Sequence, residues 1–310
     1  MLVRPETISD YPAIAALTAS AFGRGWAEPG IIALLRQGKG FDPELSLVAE
    51  VDGRVVGHAL FTPYTVRLLG QAVPAVNLAP IAIEPAFQRQ GLGGRLIEAG
   101  HGAARAKGYA FSFLLGHPSY YPQFGYVTRA YGVARLRVDA GAGGSAQELE
   151  ARPPVEADLP ALRALWEQAE GAVDFALEPG EGLLEWLSPN PAMQAEVYLD
   201  SGSVLGYTRV HSAEPGKPGV FLASDAPTAR RIIAHLVGQA APGMTLQVLD
   251  LPLHPGSAAA AGLGIASVQA WEAAMGRPLL PSPLDEYLAL VGAGGRPVGR
   301  VLWPAAFDLA

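Results

Sequence analysis

Two stretches of this sequence match at one fixed spacing, and this repeat constrains the fold more than any other feature. VRPETISDYPAIAAL starts at Val3 and ARPPVEADLPALRAL starts at Ala151. Seven positions are identical, each 148 residues after its counterpart, as Arg152 is after Arg4. In both stretches a short strand pattern precedes a helical pattern with Asp at its start and Pro in its first turn. The sequence therefore predicts two copies of one unit in tandem.

Weaker similarity continues along both copies. Residues 45–61 and 196–210 each predict a β-hairpin, with turns at Asp52-Gly53 and Ser201-Gly202. Residues 114–126 and 251–265 each predict a strand ending at His-Pro, a short helix and another strand. A patch rich in glycine and alanine separates the copies and predicts a linker at 141–149. We therefore expect two α/β domains, at 1–140 and 150–310.

Composition excludes several classes of protein. The chain of 310 residues contains no cysteine, which excludes disulfides, thiolate metal ligands and a cysteine nucleophile, and we expect no bound metal. The net charge of -7 and the lack of a basic run argue against nucleic-acid and membrane-surface partners. No apolar run reaches the ~18 residues of a membrane span, and the N-terminus does not resemble a signal peptide. We expect a cytoplasmic protein.

A glycine-rich loop lies between a strand and a helix in the first copy. The strand run Ile81–Ile83 breaks at Glu84-Pro85, QRQGLGG follows at 88–94, and a helical pattern covers 92–107. Glycine inside a helix costs about 1 kcal/mol relative to alanine, so something must approach the backbone closely there. The first amides of a helix have no internal partner and attract anions. The loop lacks the Gly-Lys-Ser/Thr of triphosphate sites and the GxGxxG of dinucleotide sites.

This loop resembles the pyrophosphate loop of the GNAT superfamily of N-acetyltransferases, Q/R-x-x-G-x-G/A. NLAPIAIEP at 77–85 and GHPSYYPQFGY at 116–126 extend the resemblance over most of residues 1–136. It implies the α+β type of GNAT fold, with a mixed, mostly antiparallel twisted sheet flanked by helices in each copy. It also implies acetyl-CoA as co-substrate. The alternative is a glycine cluster that only lets the helix pack closely, as Gly100 and Ala103 also would.

The resemblance assigns residues to the co-substrate. The strand of Ile81, Ala82 and Ile83 would pair with the pantetheine arm and polarise the thioester carbonyl. The pyrophosphate would lie on the backbone of Gln88, Arg89, Gln90, Gly91, Leu92, Gly93 and Gly94. Arg89 and Arg95 either add positive charge or lie on the surface.

The leaving thiolate must take up a proton, and a tyrosine is a suitable donor. A tyrosine pKa of about 10 keeps the hydroxyl protonated at neutral pH. The resemblance places this residue at Tyr121, with Tyr120 as a packing neighbour; the alternative is a half-buried aromatic without a catalytic role. His117 takes the place of an asparagine near the co-substrate, and it either binds pantetheine, acts as a base or caps a helix. Some relatives have a carboxylate base where this chain has Asn77, which cannot accept a proton, and Glu84 is poorly placed.

The second copy lacks these motifs. Asp225 leads directly into a helical pattern and would cap it while repelling a phosphate, so we expect no acetyl-CoA there. This copy would line the acceptor cleft or mimic a dimer partner. Tandem forms are familiar in mycothiol synthase and in the enhanced-intracellular-survival acetyltransferases, which use their C-terminal carboxylate in the active site. A similar return of the tail ending at Ala310 is conceivable here.

The leading hypothesis is an acetyl-CoA-dependent N-acetyltransferase that transfers acetyl directly to a primary amine in a ternary complex. The alternatives are a non-enzymatic acetyl-CoA-binding or sensing protein and a transferase for a longer acyl group. The acceptor would be a small-molecule or peptide amine, against the segment 21–45. Phe22, Trp26 and Phe41 of that segment either stack on the acceptor or pack internally.

Overall fold

The computed structural model describes residues 1–23, 25–143, 149–239, 246–260 and 263–309. The helices are α1 (Tyr11–Phe22), α2 (Ala27–Leu35), α3 (Leu92–Ala106), α4 (Leu159–Glu170), α5 (Ala226–Gly238) and α6 (Pro283–Gly292). The strands are β1 (Leu2–Pro5), β2 (Ser46–Val51), β3 (Arg54–Leu68), β4 (Gln71–Ile83), β5 (Phe111–Leu115), β6 (Tyr131–Asp139), β7 (Glu150–Arg152), β8 (Met193–Asp200), β9 (Ser203–His211), β10 (Val220–Ala223), β11 (Val248–Leu251), β12 (Ser267–Ala270), β13 (Ala274–Pro278) and β14 (Gly299–Arg300). Among these residues, no helix is both long and apolar enough to cross a membrane.

A mixed six-stranded sheet forms the first part of the structure, in the order β1-β2-β3-β4-β5-β13. Only the β4–β5 pairing is parallel. Helix α3 buries Leu92, Leu96 and Ile97 against one face, in a core with Phe61 and Leu78. Helices α1 and α2 pack apolar side chains against the other face, which carries Val48 and Leu60. The expected fold class, mixed and mostly antiparallel sheets flanked by helices, is confirmed.

The repeated stretches adopt the same local structure. β1 and β7 each lead through a 3-10 turn, at Ile8–Asp10 and Glu156–Asp158, into α1 and α4. Arg4 pairs with Asp10 at 2.7 Å, and Arg152 pairs with Asp158 at the same distance. Neither aspartate caps its helix as predicted, because the carboxylates accept hydrogen bonds from the preceding amides of Thr7 and Val155 instead. Each carboxylate therefore fixes the strand-to-helix corner rather than the helix end.

The remaining strands form two further sheets. β10-β9-β8-β7 is antiparallel, and β6 lies between β11 and β12 with β14 parallel to it. β6 therefore pairs with strands from residues 248–300, while β13 joins the first sheet through β5. The two halves exchange strands across the predicted linker 141–149, of which residues 144–148 lie outside the described residues. The domain boundaries 1–140 and 150–310 stay a prediction.

The sequence patterns also predict a separate strand at 66–69, a helix at 118–123 and a helical segment at 27–38, and all three predictions needed correction. The predicted separate strand at 66–69 is the end of β3, which runs unbroken through Pro63. The predicted helix at 118–123 is a 3-10 turn, Tyr121–Phe124, and the helical segment predicted at 27–38 ends at Leu35. Tertiary packing decides the first case, since β3 is long enough to contribute to two hydrophobic cores at once.

A buried carboxylate ties β1 to α2. Arg36 binds Glu6 through two nitrogens, at 2.8 and 2.6 Å, and His58 Nε2 lies 3.3 Å from the same carboxylate. Burial by itself would raise the pKa of Glu6, but hydrogen bonds from His58, Arg36 and Ser46 together lower it to about 2. Burial also lowers the pKa of His58. Glu6 is therefore ionised and His58 neutral at neutral pH, which supports a structural role for His58.

Glu6 should make the fold sensitive to acid. In the unfolded chain a glutamate is protonated near its ordinary pKa of about 4.3, whereas in the folded chain Glu6 stays ionised to about pH 2. The unfolded state therefore takes up this proton first, and stability falls as the pH drops through this window. We expect Glu6→Gln to flatten the slope of unfolding free energy against pH in chemical denaturation, relative to the exposed control Glu214→Gln. An equally steep slope in both variants would contradict this.

Candidate active site

A gap between β4 and β5 opens in the middle of the first sheet. The two strands pair only from Ala75 to Asn77, opposite Phe111 to Phe113. Just beyond, β4 bulges, because Ala59 lies opposite Ile81 whereas Phe61 lies opposite Leu78. Ile81, Ala82 and Ile83 still pair with β3, so their other edge faces the gap. A strand edge without a partner is suited to pair with an extended ligand that carries amides.

The loop from Gln88 to Gly94 follows β4 and ends at the start of α3. Gln88 Nε2 donates to the Ile83 carbonyl at 3.1 Å, and Gln90 Nε2 donates to the Ala86 carbonyl at 3.2 Å. Both glutamines therefore hold the loop against the strand end. Gly91 adopts the left-handed conformation with φ of 80°. Within the described part of the chain, the backbone amides of residues 89–94 donate no hydrogen bond, which leaves them available to an anion.

The glycines of this loop have different structural reasons. A Cβ on Gly93 would lie 2.8 Å from the Tyr120 hydroxyl, and one on Gly94 would lie 3.0 Å from the Phe124 ring. These two glycines thus let the 3-10 turn Tyr121–Phe124 pack against α3. Gly91 has open space around its Cβ position and is required only by its backbone conformation. Close packing and an open amide cradle therefore occur together in this loop.

The side chains of Leu92 and Arg89 in this loop, and of Arg95 next to it, differ in burial. Leu92 is buried in the core under α3, so only its backbone can face a ligand. Arg89 has a positive φ of 61° and is exposed, and Arg95 is exposed with its guanidinium 3.9 Å from Met1 Sδ. Both arginines lie at the surface near the loop, where a negatively charged ligand could reach them.

Tyr121 lies on the opposite side of the gap. Its ring packs over Gly116 at the end of β5, where a Cβ would come within 2.2 Å of the ring. Tyr120 and Tyr126 contact it edge to face at 5.2 and 5.8 Å between ring centroids. Burial raises the pKa of Tyr121 to about 12, so the hydroxyl stays protonated at neutral pH. That hydroxyl forms no hydrogen bond to any described residue.

A buried chain of hydrogen-bonded side chains begins at Tyr126, which contacts Tyr121. No sequence motif predicted this chain. The Tyr126 hydroxyl bonds to Ser112 at 2.7 Å and to His101 Nε2 at 2.9 Å, and His101 Nδ1 meets Arg277 of β13. Burial, with Arg277 and Arg105 nearby, lowers the pKa of His101 to about 3. His101 is therefore a neutral connector between α3 and β13, and the strand contributed by the second half helps to position the Tyr121 neighbour.

The other candidate residues have limited roles. The His117 side chain is exposed, while its carbonyl accepts the Tyr120 amide at 3.0 Å and closes the turn. Asn77 is buried and donates to the Phe113 carbonyl at 3.1 Å across the last paired position of β4 and β5. Glu84 pairs with Arg54, both carboxylate oxygens lying at 3.1 Å. In the described ranges, no group of three His, Cys, Asp or Glu side chains is arranged to hold a metal.

In the second half, the side chain of Asp225 occupies the start of the corresponding helix, α5. Asp225 Oδ1 accepts the Thr228 amide at 2.7 Å, which confirms the predicted cap of α5. A phosphate at this end would meet a carboxylate. At the position corresponding to the tyrosine, Ser257 donates to Glu170 at 3.1 Å, and Ala261 lies outside the described residues.

The C-terminal tail returns to the first sheet. A 3-10 turn at Ala305–Leu309 packs Phe307 and Leu309 against the core of α1 and α2. Asp308 anchors it through Arg209 at 3.0 Å and through its carbonyl, which accepts Asn190 Nδ2 at 2.8 Å. Ala310, whose carboxylate was a candidate group, lies outside the described residues.

Comparisons with known proteins identify the class. The family described as Acetyltransferase (GNAT) domain matches residues 2–129. YjhQ of Escherichia coli K12, an uncharacterized N-acetyltransferase, is 38% identical over 118 residues, which cover 38% of this chain and 65% of YjhQ. YhbS of the same strain, with the same description, is 36% identical over 138 residues, which cover 44% of this chain and 80% of YhbS. The match thus spans slightly less than two thirds of YjhQ.

Solved structures extend the likeness to the fold of both halves. A GCN5-related N-acetyltransferase from Anabaena variabilis superposes with a TM-score of 0.69 at 13% identity, covering 90% of this chain and 72% of the other. YhbS from Escherichia coli, solved in complex with CoA, is 35% identical over 42% of this chain and 69% of its own, with a TM-score of 0.38. The strand gap, the glycine loop, the family match over residues 2–129 and the sequence identity to YhbS define a GNAT-type acetyltransferase domain. The chain belongs to the GNAT superfamily.

Proposed function

We propose that this protein is an acetyl-CoA-dependent N-acetyltransferase that transfers acetyl directly to a primary amine. One observation carries the proposal: the free edge of β4 lies where β4 and β5 separate, and the unpaired amides of residues 89–94 and the ring of Tyr121 belong to the segments that follow these two strands. These groups fit a ligand with a diphosphate, an amide-bearing arm and a reactive end. The related YhbS was crystallised with CoA, which supports the same ligand here.

The residues would divide the work as follows. Backbone amides of residues 89–94 would hold the diphosphate, and the edge at Ile81–Ile83 would hold the pantetheine amides. Bound there, acetyl-CoA supplies an activated acetyl thioester. An amide of the β4 edge would stabilise negative charge on the carbonyl oxygen. As nitrogen forms its bond to the acetyl carbon and the carbon–sulfur bond breaks, Tyr121 would give its proton to sulfur, the amine would release one proton to solvent, and solvent would return a proton to Tyr121.

We infer that the second half is a degenerate copy of the same unit. β7, the turn at Glu156–Asp158 and α4 reproduce β1, its turn and α1, including the Arg–Asp pair. Asp225 at the start of α5 is unfavourable for a phosphate, so CoA should bind at one site per chain. Calorimetry that measured two equivalent CoA sites would contradict this inference.

Gly91 provides the sharpest test of CoA binding. Gly91→Ala would strain a backbone with φ of 80° and shift the neighbouring amides. We expect calorimetry to show CoA binding weakened about tenfold, by loss of about 1.4 kcal/mol. The matched control is Gly108→Ala, where φ is 86° just beyond the other end of α3 and the Cβ position is equally open. Equal CoA affinity in both variants would mean that the loop does not hold CoA.

The alternative is an acetyl-CoA sensor without transferase activity. Steady-state thiol release over a panel of primary amines separates the two functions, because the sensor would bind acetyl-CoA and turn over none of them. Tight binding of a longer acyl-CoA in competition with acetyl-CoA would favour the third hypothesis, transfer of a longer acyl group.

A further inference from the structure

A cavity lies between the first sheet and the second half of the chain. Its volume of 520 Å³ falls within the usual range for small-molecule sites. It is lined by the connection from α2 to β2, the middle of β3, the segment 178–189 and the tail at Pro304 and Ala306. Phe41 of the expected acceptor segment lines it, whereas Phe22 and Trp26 do not.

The cavity lies beside the gap between β4 and β5. Thr62 in its wall pairs with Asn77, which pairs with Phe113, the last paired position before the gap. Partners in register project to the same face of a sheet, and adjacent strands are about 4.8 Å apart. Thr62 therefore lies on β3, the strand next to β4, in the last row of paired residues before the gap.

Two oxygens in this row have no partner within the described ranges. Thr62 is 7% exposed and its Oγ1 forms no hydrogen bond, and Asn77 is fully buried with its Oδ1 also unbonded. An unsatisfied buried polar atom costs about 1–3 kcal/mol. Such atoms in and beside a cavity wall indicate a bound polar group, and both oxygens can accept hydrogen bonds from nitrogen.

Charge identifies which polar group. Three carboxylates line the cavity, and two are already paired: Glu178 with Arg67 at 2.8 Å and Glu181 with Lys39 at 2.6 Å. Glu185 has no ion pair with any described residue, and burial raises the pKa of its carboxyl, so the charged form lacks a stabilising cationic partner.

The described cations around Glu185 already interact with other carboxylates. The charge of Arg209 acts on Glu185, but Arg209 forms an ion pair with Asp308 at 3.0 Å and donates a hydrogen bond to the Trp303 carbonyl at 2.5 Å. Arg163 also lines the cavity, on the exposed face of α4, where its charge acts on Glu181. A half-buried carboxylate in a cavity is stabilised by a cation from the ligand.

We propose that the cavity holds the acceptor and that the acceptor is a small diamine or polyamine. One ammonium pairs with Glu185, while the amine that reacts hydrogen-bonds to Thr62 in the cavity wall, on the side of the gap. This inference rests on the proposed transferase function. It favours a small molecule over a side chain of a folded protein, because both halves of the chain line the cavity and its volume is that of a small-molecule site.

Two probes of nearly equal shape test the inference. 1,4-Diaminobutane and 4-amino-1-butanol share one primary amine and differ in whether the far end carries charge. With the full chain saturated with CoA, we expect calorimetry to show the diamine binding at least tenfold more tightly. With acetyl-CoA, thiol release should show a similar preference in kcat/KM.

Variants assign the preference to Glu185. Glu185→Gln should reduce the preference for the diamine to less than about twofold, with CoA affinity unchanged, whereas Glu167→Gln, outside the cavity, should retain it. Equal affinity for both probes in the parent chain, or retention of the preference in Glu185→Gln, overturns the inference. A parent chain that binds no CoA overturns the proposed function instead. Release of thiol with a peptide amine but neither probe also overturns this acceptor class while leaving the transferase intact.

Discussion

Replacement of Tyr121 by phenylalanine is expected to lower the rate of acetyl transfer at least 100-fold. General acid catalysis contributes about 10²–10⁴-fold, and the phenyl ring retains the packing over Gly116 while losing the proton. The lost hydroxyl forms no hydrogen bond to described residues, so stability and CoA affinity should change little. Steady-state thiol release gives kcat and KM, and calorimetry gives CoA affinity.

Tyr120→Phe is the matched control. Tyr120 contacts the same turn, is 37% exposed and places its hydroxyl near Gly93, so its loss should reduce kcat less than about threefold. Because the pKa of Tyr121 is raised to about 12, deprotonation of this group should not lower kcat between pH 8 and 10. Equal kcat in Tyr121→Phe and the parent chain would remove the tyrosine from the mechanism and leave solvent as the proton source.

Features encoded in short stretches were predictable from the sequence. Both hairpin turns lie where Asp52-Gly53 and Ser201-Gly202 predicted them, with positive φ at all four residues. The start of α3 at Leu92 also follows from the local pattern. In these cases the deciding interaction is between neighbours in sequence, or is a backbone conformation that glycine alone adopts readily.

Pairings between distant residues were not predictable in this way. β6 has the alternating pattern of a strand, but this pattern does not specify which half of the chain supplies its partner strands. Nothing in its own residues selects β11 and β12. β13 completes the first sheet from 159 residues beyond β5, as Ala274 opposite Leu115 shows. In the sequence, His101 likewise looks like an ordinary helical residue, because its partner Arg277 lies on the distant strand β13.

The acceptor cavity shows the same limit. Thr62, Glu185 and Ala306 come from three separate regions of the chain, and none stands out from its neighbours in sequence. What distinguishes Thr62 and Glu185 is a missing partner, because the Thr62 Oγ1 forms no hydrogen bond and Glu185 no ion pair with any described residue, and only the assembled structure reveals this. The co-substrate loop is local and therefore carries a sequence motif, while the cavity is built from tertiary contacts and carries none.

Gly100→Ala is expected to destabilise the fold by about 3 kcal/mol, since overpacking of a core costs about 1–3 kcal/mol and sometimes more. A Cβ at Gly100 would lie 1.9 Å from the ring of Phe61, with two further ring atoms within 2.6 Å. Phe61 is fully buried on β3, so the ring cannot swing aside without moving core neighbours. Helix α3 would instead have to lift from the sheet. Urea denaturation measures the loss.

Gly102 on the same helix supplies the control. Its Cβ position is open, so Gly102→Ala should gain up to about 1 kcal/mol from helix propensity alone. The double variant Gly100→Ala with Phe61→Leu should recover part of the loss beyond the sum of the single effects, because the two positions share one space. Equal stability of Gly100→Ala and Gly102→Ala would show that α3 does not need this close approach. If the approach is needed, Gly100→Ala should also weaken CoA binding, since lifting α3 displaces the amides at its start.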